Sequence, residues 1–337
     1  MKKRVGTAVT IGIVLLPVVV SLVCIGIGRY SLSMDESLQV LLHALMGRQD
    51  YGDPQAYSVI VNMRLPRILL ALLCGMGLSL SGTALQALFS NPLASPDILG
   101  VSAGAGFGAA LALLWSLNLL FVQLFALFFG LAAVAIAIFV GRSKAKSSII
   151  LMVLGGVVVS YMFQAFISLI KYVADTESKL PAITYWLMGS LTGATYSALL
   201  IGAPIILIGC AVLFSLRWRL NILSLGDEEA KSMGINVKRL RLYVIMASTM
   251  ITAACVSMCG LVGWVGLLMP HIARMLFGSN NSKVVPISMC LGAAFLVVID
   301  TFARSATAAE IPISILTAVI GAPFFILLLK RTGAVWR

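Results

Sequence analysis

Leu216–Arg241, LRWRLNILSLGDEEAKSMGINVKRLR, is the longest polar interruption in the C-terminal two thirds of a very apolar chain. Its reading decides the fold, because Ala198–Leu216 before it and Leu242–Gly260 after it carry no charge and are long enough to cross a bilayer. Within it, Asp227, Glu228 and Glu229 fall where the first turn of a short helix would lie, and carboxylates there are favoured by the helix dipole and the unpaired backbone N–H groups. Ala230 to Met233 continue that helix, and Gly234 supplies the left-handed residue that ends it. The product is a stubby peg outside the bilayer, flanked by Arg217, Arg219, Lys238, Arg239 and Arg241. A capped peg tied at both ends to apolar helices reads as a handle for a soluble partner or as an ordinary charged loop, and spacing alone does not choose.

Composition bounds the class. With 60% hydrophobic and 11% charged residues, no water-soluble domain could bury this much apolar surface. The 24 Lys and Arg against 12 Asp and Glu lie in small clusters between apolar runs, which fits positive-inside sorting in a membrane and not a nucleic-acid surface. The six cysteines all lie in apolar segments with no CxxC and no nearby histidine, so they read as packing residues, neither metal ligands nor disulfides.

In chain order, a basic start precedes Val5–Ile27, which reads as a retained first span with its N-terminus inside, because a signal peptide would have a shorter apolar core and a small-residue cleavage site. Ser33 followed by Glu36 is a capping box, and Gly47 closes a helix over about Met34–Met46 in the first outer loop (28–67). Spans follow at Ile68–Phe89, Ile98–Leu117, Phe121–Val140 and Ser148–Ile170, with a proline turn at Asn91–Asp97 and glycines at 100, 104 and 108 forming a flat packing face. A second outer loop (171–196) leads to the two spans around the inner loop 217–241, then to Leu261–Phe277, Val284–Ala303 and Ile311–Leu329. The expectation is an all-α polytopic membrane protein, one domain over residues 1–337, with about ten spans and both termini inside.

The charges test that topology. Seventeen of the 24 basic residues fall inside: three at the N-terminus, three in Arg142–Lys146, six around the peg, Arg274 and Lys283, and three at the C-terminus. Seven remain outside, and Arg64, Arg67 and Arg304 among them sit at span ends where basic residues are disfavoured. They either snorkel to headgroups or meet an acidic partner, and two on one short turn favour a docking site.

Absences matter too. No GxxxxGK[ST] occurs, so the chain is not expected to hydrolyse nucleotide through a P-loop. Asp97, Asp300 and Glu310 read as lying at span ends, leaving no ionisable residue at mid-span of the kind an ion-coupled carrier keeps. His43 and His271 are assigned no chemistry.

Several motifs carry a family resemblance. Arg64-Leu-Pro-Arg67, Gly82-Thr-Ala-Leu-Gln86 running into Asn91-Pro-Leu-Ala-Ser-Pro-Asp-Ile-Leu-Gly100, Leu225-Gly-Asp-Glu-Glu-Ala230 with Met233-Gly234, Gly263-Trp-Val-Gly-Leu-Leu-Met-Pro-His-Ile-Ala-Arg274, and Ala309-Glu-Ile-Pro312 with Gly321-Ala-Pro323 resemble the permease subunits of type II ABC importers for iron chelates and cobalamin. The resemblance implies a non-enzymatic subunit of a bacterial inner membrane. It implies a second permease, identical or related, two ATP-binding subunits that hold ATP and Mg, a soluble substrate-binding protein and surrounding lipid, with no cofactor in this chain. By the same resemblance Leu225, Gly226, Asp227, Glu228, Glu229, Ala230, Met233 and Gly234 form the coupling helix on the ATPase, and Arg64, Arg67 and Arg304 meet the binding protein. Leu151, Gly155, Gly156, Ser160 and Gln164 line the pathway, with Arg142 and Lys144 near the inner gate. The implied cargo is a ferric siderophore, with haem, cobalamin or molybdate as alternatives. A self-contained secondary carrier is the reading from another class.

Overall fold

The computed structural model describes residues 6–47, 53–141, 149–224 and 227–332, and every regular element among them is helical. The chain runs through α1 (Thr7–Gly26), α2 (Met34–Leu45), α3 (Pro54–Tyr57), a π-helical stretch Ser58–Arg64, α4 (Leu65–Leu88), a 3₁₀ turn Pro96–Leu99, α5 (Val101–Leu114), α6 (Leu119–Gly141) and α7 (Ile149–Val173). It continues with α8 (Lys179–Leu187), α9 (Tyr196–Leu216), α10 (Arg219–Leu223), α11 (Asp227–Ser232), α12 (Val237–Cys259), α13 (Val265–Phe277), α14 (Asn281–Ser305) and α15 (Ile313–Thr332). Among the described residues, 7 helical segments are long and apolar enough to cross a membrane, and three shorter apolar helices (α5, α13 and α15 over Ile313–Leu327) bring the set to the expected ten. The chain is an all-α polytopic membrane protein.

Burial divides the spans into a core and a rim. The most apolar windows of α4 and α12 are each 78% buried and that of α14 67%, against 11% for α1 and 22% for α7. Missing side chains explain the tight core: a Cβ on Gly82 would lie 1.8 Å from the Gly266 carbonyl oxygen, and one on Gly75 would lie 2.2 Å from that of Gly292. Backbone therefore touches backbone where α4 crosses α13 and α14, the small-residue packing that membrane helices use in place of a hydrophobic driving force. Hydroxyl pairs add polar links, Ser81 to Thr252 at 3.0 Å and Thr83 to Ser288 at 2.9 Å.

The glycine face on α5 holds in part. Cβ atoms on Gly104 and Gly108 would meet the Phe129 and Phe125 carbonyls at 2.4 and 2.2 Å, so both serve close packing against α6. Gly100 does not belong to that stripe, because it precedes the helix at φ +81. In the outer loop Ser33 caps α2 by accepting from the Glu36 N–H at 3.1 Å, and Gly47 follows that helix in the left-handed region. The second outer loop holds a helix that its sequence does not announce, α8, whose Ile183 is fully buried and whose Lys179 Nζ donates to the Leu114 carbonyl at the end of α5 (2.7 Å).

Two helices are half-length. At a rise of about 1.5 Å per residue, α5 with 14 residues and α13 with 13 each reach only about 20 Å. With the side that the charge bias assigns outside taken as outer, α5 runs from mid-depth outward and α13 from mid-depth inward, and their N-termini meet.

Candidate functional site

The peg forms as its residues dictate. Asp227–Ser232 is a six-residue helix, the Ile235 N–H returns to the Ala230 carbonyl at 3.2 Å, and Gly234 takes φ +74 between them, a Schellman closure. Ala230 is fully buried while Glu229 and Met233 face solvent, so the peg has a seated side and a free side. Its seat is α10, where Leu220, Ile222 and Leu223 are buried. Asn221 ties α10 to the start of α14, donating to Asn280 Oδ1 (3.1 Å) and accepting from the Asn281 N–H (2.7 Å). The peg is thus joined through α10 to α14 and directly to α12, whose N-terminus Asn236 caps by accepting from the Arg239 N–H at 3.1 Å. Leu225, Gly226, Arg142 and Lys144 lie outside the described residues.

The structure places the three outer arginines inside the chain. Arg64, Arg67 and Arg304 are only 4%, 9% and 8% exposed. Arg64 donates to the carbonyls of Ile25 (2.8 Å), Gly26 (3.2 Å) and Tyr30 (2.6 Å), and Arg304 donates to that of Cys24 (2.6 Å). The Cys24, Ile25 and Gly26 carbonyls belong to the last turn of α1, where the dipole favours positive charge, and the Tyr30 carbonyl follows just after it, so two cations close the end of that helix and the turn beyond it. Arg67 binds Glu310 with both terminal nitrogens (2.9 and 2.8 Å) and Asp300 through Nε at 2.7 Å. The cluster clasps α1, α4, α14 and the loop before α15 together, and Gly28 leaves room for it, since a Cβ there would fall 2.5 Å from Arg64 Nη2. Arg64 and Arg67 are engaged with the chain's own acceptors, while Arg304 donates from Nη2 to Cys24 and its buried Nε stands 3.7 Å from Asp300 Oδ2, an ion pair without a hydrogen bond.

The α7 residues divide between two faces. Gly155 and Gly156 are buried, with Cβ positions 2.8 Å from the Ala137 carbonyl and 2.3 Å from that of Ile98, so they seat α7 on α6 and on the 3₁₀ turn. Ser160 is half-buried and donates to the Gly156 carbonyl at 2.8 Å. Leu151 and Gln164 are exposed, along with Leu154, Val158, Tyr161, Ser168 and Tyr172. This open face carries polar groups well within a span, where lipid-facing positions would be apolar.

The proline turn does not end at the membrane surface. Pro96 lies beside Leu78, at the middle of α4, and beside Gly266 in the first turn of α13, where an added Cβ would meet Pro96 Cγ at 2.6 Å. Asp97 is thus at mid-depth, contrary to the reading that puts it at a span end. A run with two prolines and a glycine before a 14-residue helix turns back into the bilayer, and hydropathy alone cannot register that. Ser102 Oγ donates to Asp97 Oδ1.

A model of the FecCD transport family matches residues 15–331. The chain belongs to the FecCD transport family. This FecCD chain is 42% identical over 325 residues to the molybdate import system permease protein of Haemophilus influenzae, an alignment covering 96% of each. It is 38% identical to an iron chelatin transport system permease protein of Helicobacter pylori, covering 97% of this chain and 99% of the relative. Among solved structures, an inward-facing conformation of a metal-chelate type ABC transporter superposes with a TM-score of 0.86 at 40% identity, over 97% of this chain and 100% of the other. In the FecCD chain one further polar link escaped the sequence reading: Arg274 Nη1 donates to Gln86 Oε1, joining the Gly82–Gln86 and Gly263–Arg274 motifs across α4 and α13. Both residues stand in quoted motifs, and only their pairing in space was hidden.

Proposed function

We propose that this FecCD protein is the membrane-spanning permease subunit of an ATP-driven importer, sitting in a cell membrane with a second permease, two ATP-binding subunits and a substrate-binding protein. The observation that carries the reading is the family match over residues 15–331, which takes in most of α1 and all the later spans. The peg supports it: a capped helix with one seated and one free side, linked through Asn221 to α14, is built to take up motion from a soluble partner. Chemical energy then comes from the partner, and closure of its nucleotide dimer biases the spans between two arrangements. The cargo we assign is a metal chelate, on the strength of the metal-chelate type neighbour and the iron chelatin relative. Molybdate is the second reading, favoured by the relative at 42% identity.

Reconstitution of the chain with its ATPase and binding protein in proteoliposomes tests both levels. ATP-dependent uptake of a radiolabelled ferric chelate is expected. Uptake of molybdate alone moves the assignment to the oxyanion, and uptake driven by an ion gradient without ATP overturns the importer reading.

A further inference from the structure

Two discontinuities meet inside the membrane. The α-helical ladder is broken at 95–100, which make only a 3₁₀ turn, and at 260–264, and around their meeting point lies a water-sized hollow of about 20 Å³ lined by Ser95, Asp97, Ser102, Thr252, Gly263 and Trp264 among others. Its depth follows from its walls: Leu78 is the fourteenth of the 24 residues of α4, and Thr252 lies two thirds of the way along α12. Irregular backbone at this depth is tolerated only where protein or a water-filled cavity receives it. Trp264 itself holds φ +68, a costly value for a bulky residue, and is kept there by the ring of Phe325 (centroids 6.4 Å apart) and by Gly321 of α15.

Asp97 is the single ionisable residue among those lining this hollow, and it is exposed. A carboxylate facing acyl chains at mid-depth would be prohibitively placed, so the surface it opens onto is polar or wet. That surface lies between the α7 side, where Gly100 packs on Ser160, and the α15 side, where Trp264 packs on Gly321. The N-termini of α5 and α13 also converge here, and their dipoles would draw an anion if no negative charge answered them. Asp97 answers them, and the Ser102 hydroxyl holds it in place.

We propose that Asp97, positioned by Ser102, is a specificity-determining residue on the wall of the translocation pathway: its carboxylate accepts hydrogen bonds from cargo bearing N–H, hydroxyl or metal-bound water donors and turns away bare oxyanions. This rests on the importer reading for the word cargo, but the exposure and the carboxyl group at this depth are properties of the chain itself.

The test uses the assembled transporter in proteoliposomes carrying Ser95→Cys, at a half-buried position lining the same hollow, labelled with cationic trimethylammonium-ethyl or anionic sulfonatoethyl methanethiosulfonate. The wild-type chain serves as background, since five of its six cysteines are buried and Cys290 is half-buried. Labelling is expected, with the cationic reagent favoured about tenfold after correction for intrinsic reactivity, and the preference is expected to vanish in Ser95→Cys combined with Asp97→Asn. No labelling by either reagent, or a preference indifferent to Asp97→Asn, overturns the proposal. The isosteric Asp97→Asn variant alone is expected to lower ATP-dependent chelate uptake about tenfold relative to molybdate, and an unchanged ratio also overturns it. Labelling as expected in a chain whose wild type shows no ATP-dependent uptake counts against the importer reading and not against this one.

Discussion

A single methyl group separates contact from exclusion along α4. Gly82→Ala would set a Cβ 1.8 Å from a backbone oxygen of α13, which no rotamer change can relieve. We expect this variant to lose about 1–3 kcal/mol or more, read as a lowered unfolding midpoint in detergent. Gly12→Ala on α1 meets nothing within 4 Å and is expected to be neutral or to gain up to about 1 kcal/mol from helix propensity. If the two variants unfold alike, the backbone contact between α4 and α13 is not formed. The arginine clasp makes a similar demand. Arg67→Ala leaves Asp300, 1% exposed, without its closest cation, and breaking a buried pair costs about 3–5 kcal/mol. The double variant Arg67→Ala with Asp300→Ala should recover part of that loss, and strict additivity of the two single effects would show that the pair is not coupled. Loss of binding-protein docking in an Arg67→Glu variant would therefore not by itself report a contact with the partner, because the fold of the outer face is disturbed first.

At the scale of the element, the peg offers a separation that its sequence could not. Glu229 is free and Ala230 is seated, so Glu229→Lys is expected to lower transport per ATP hydrolysed while leaving thermal stability unchanged, whereas Ala230→Leu shifts both. Equal coupling ratios for Glu229→Lys and wild type would sink the peg's role in energy transfer. Gly234→Val is expected to cost about 1–2 kcal/mol from the left-handed φ alone. These helices were legible because their ends are written locally: Ser33 with Glu36 starts α2, and Gly234 stops α11. The half-helices were not, because hydropathy reports that a segment is apolar and says nothing of the depth at which it begins. Ile98–Leu117 read as a span of ordinary length and Leu261–Phe277 as a short, glycine-broken one, and only the contacts of Pro96 and Gly266 show that α5 and α13 both start in mid-membrane. The burial of Arg64 and Arg304 was hidden for a related reason: their acceptors are main-chain carbonyls in and just after the end of α1, some 40 and 280 residues away, which no motif marks.

Across the whole molecule, the well-buried trio α4, α12 and α14 stands against a rim that includes α1, α6, α7 and α9. On the proposed reading the open face of α7 meets the second permease or the pathway, and its Gln164 and Ser168 have no reason to face lipid. Gln164→Cys is expected to react with a membrane-impermeant thiol reagent in the assembled transporter, while Leu200→Cys, on the apolar flank of α9 and 77% exposed, is not. Equal reactivity at the two positions would mean that α7 faces lipid. The half-length of α5 and α13 also bears on how the chain reaches the bilayer during synthesis. Neither has the roughly 20 apolar residues by which the insertion machinery accepts a segment on its own merits. Each must be carried in by the longer helix that follows it, α6 for the first and α14 for the second, so the units of insertion are hairpins, and lengthening either connecting turn with polar residues should strand the short partner at the interface.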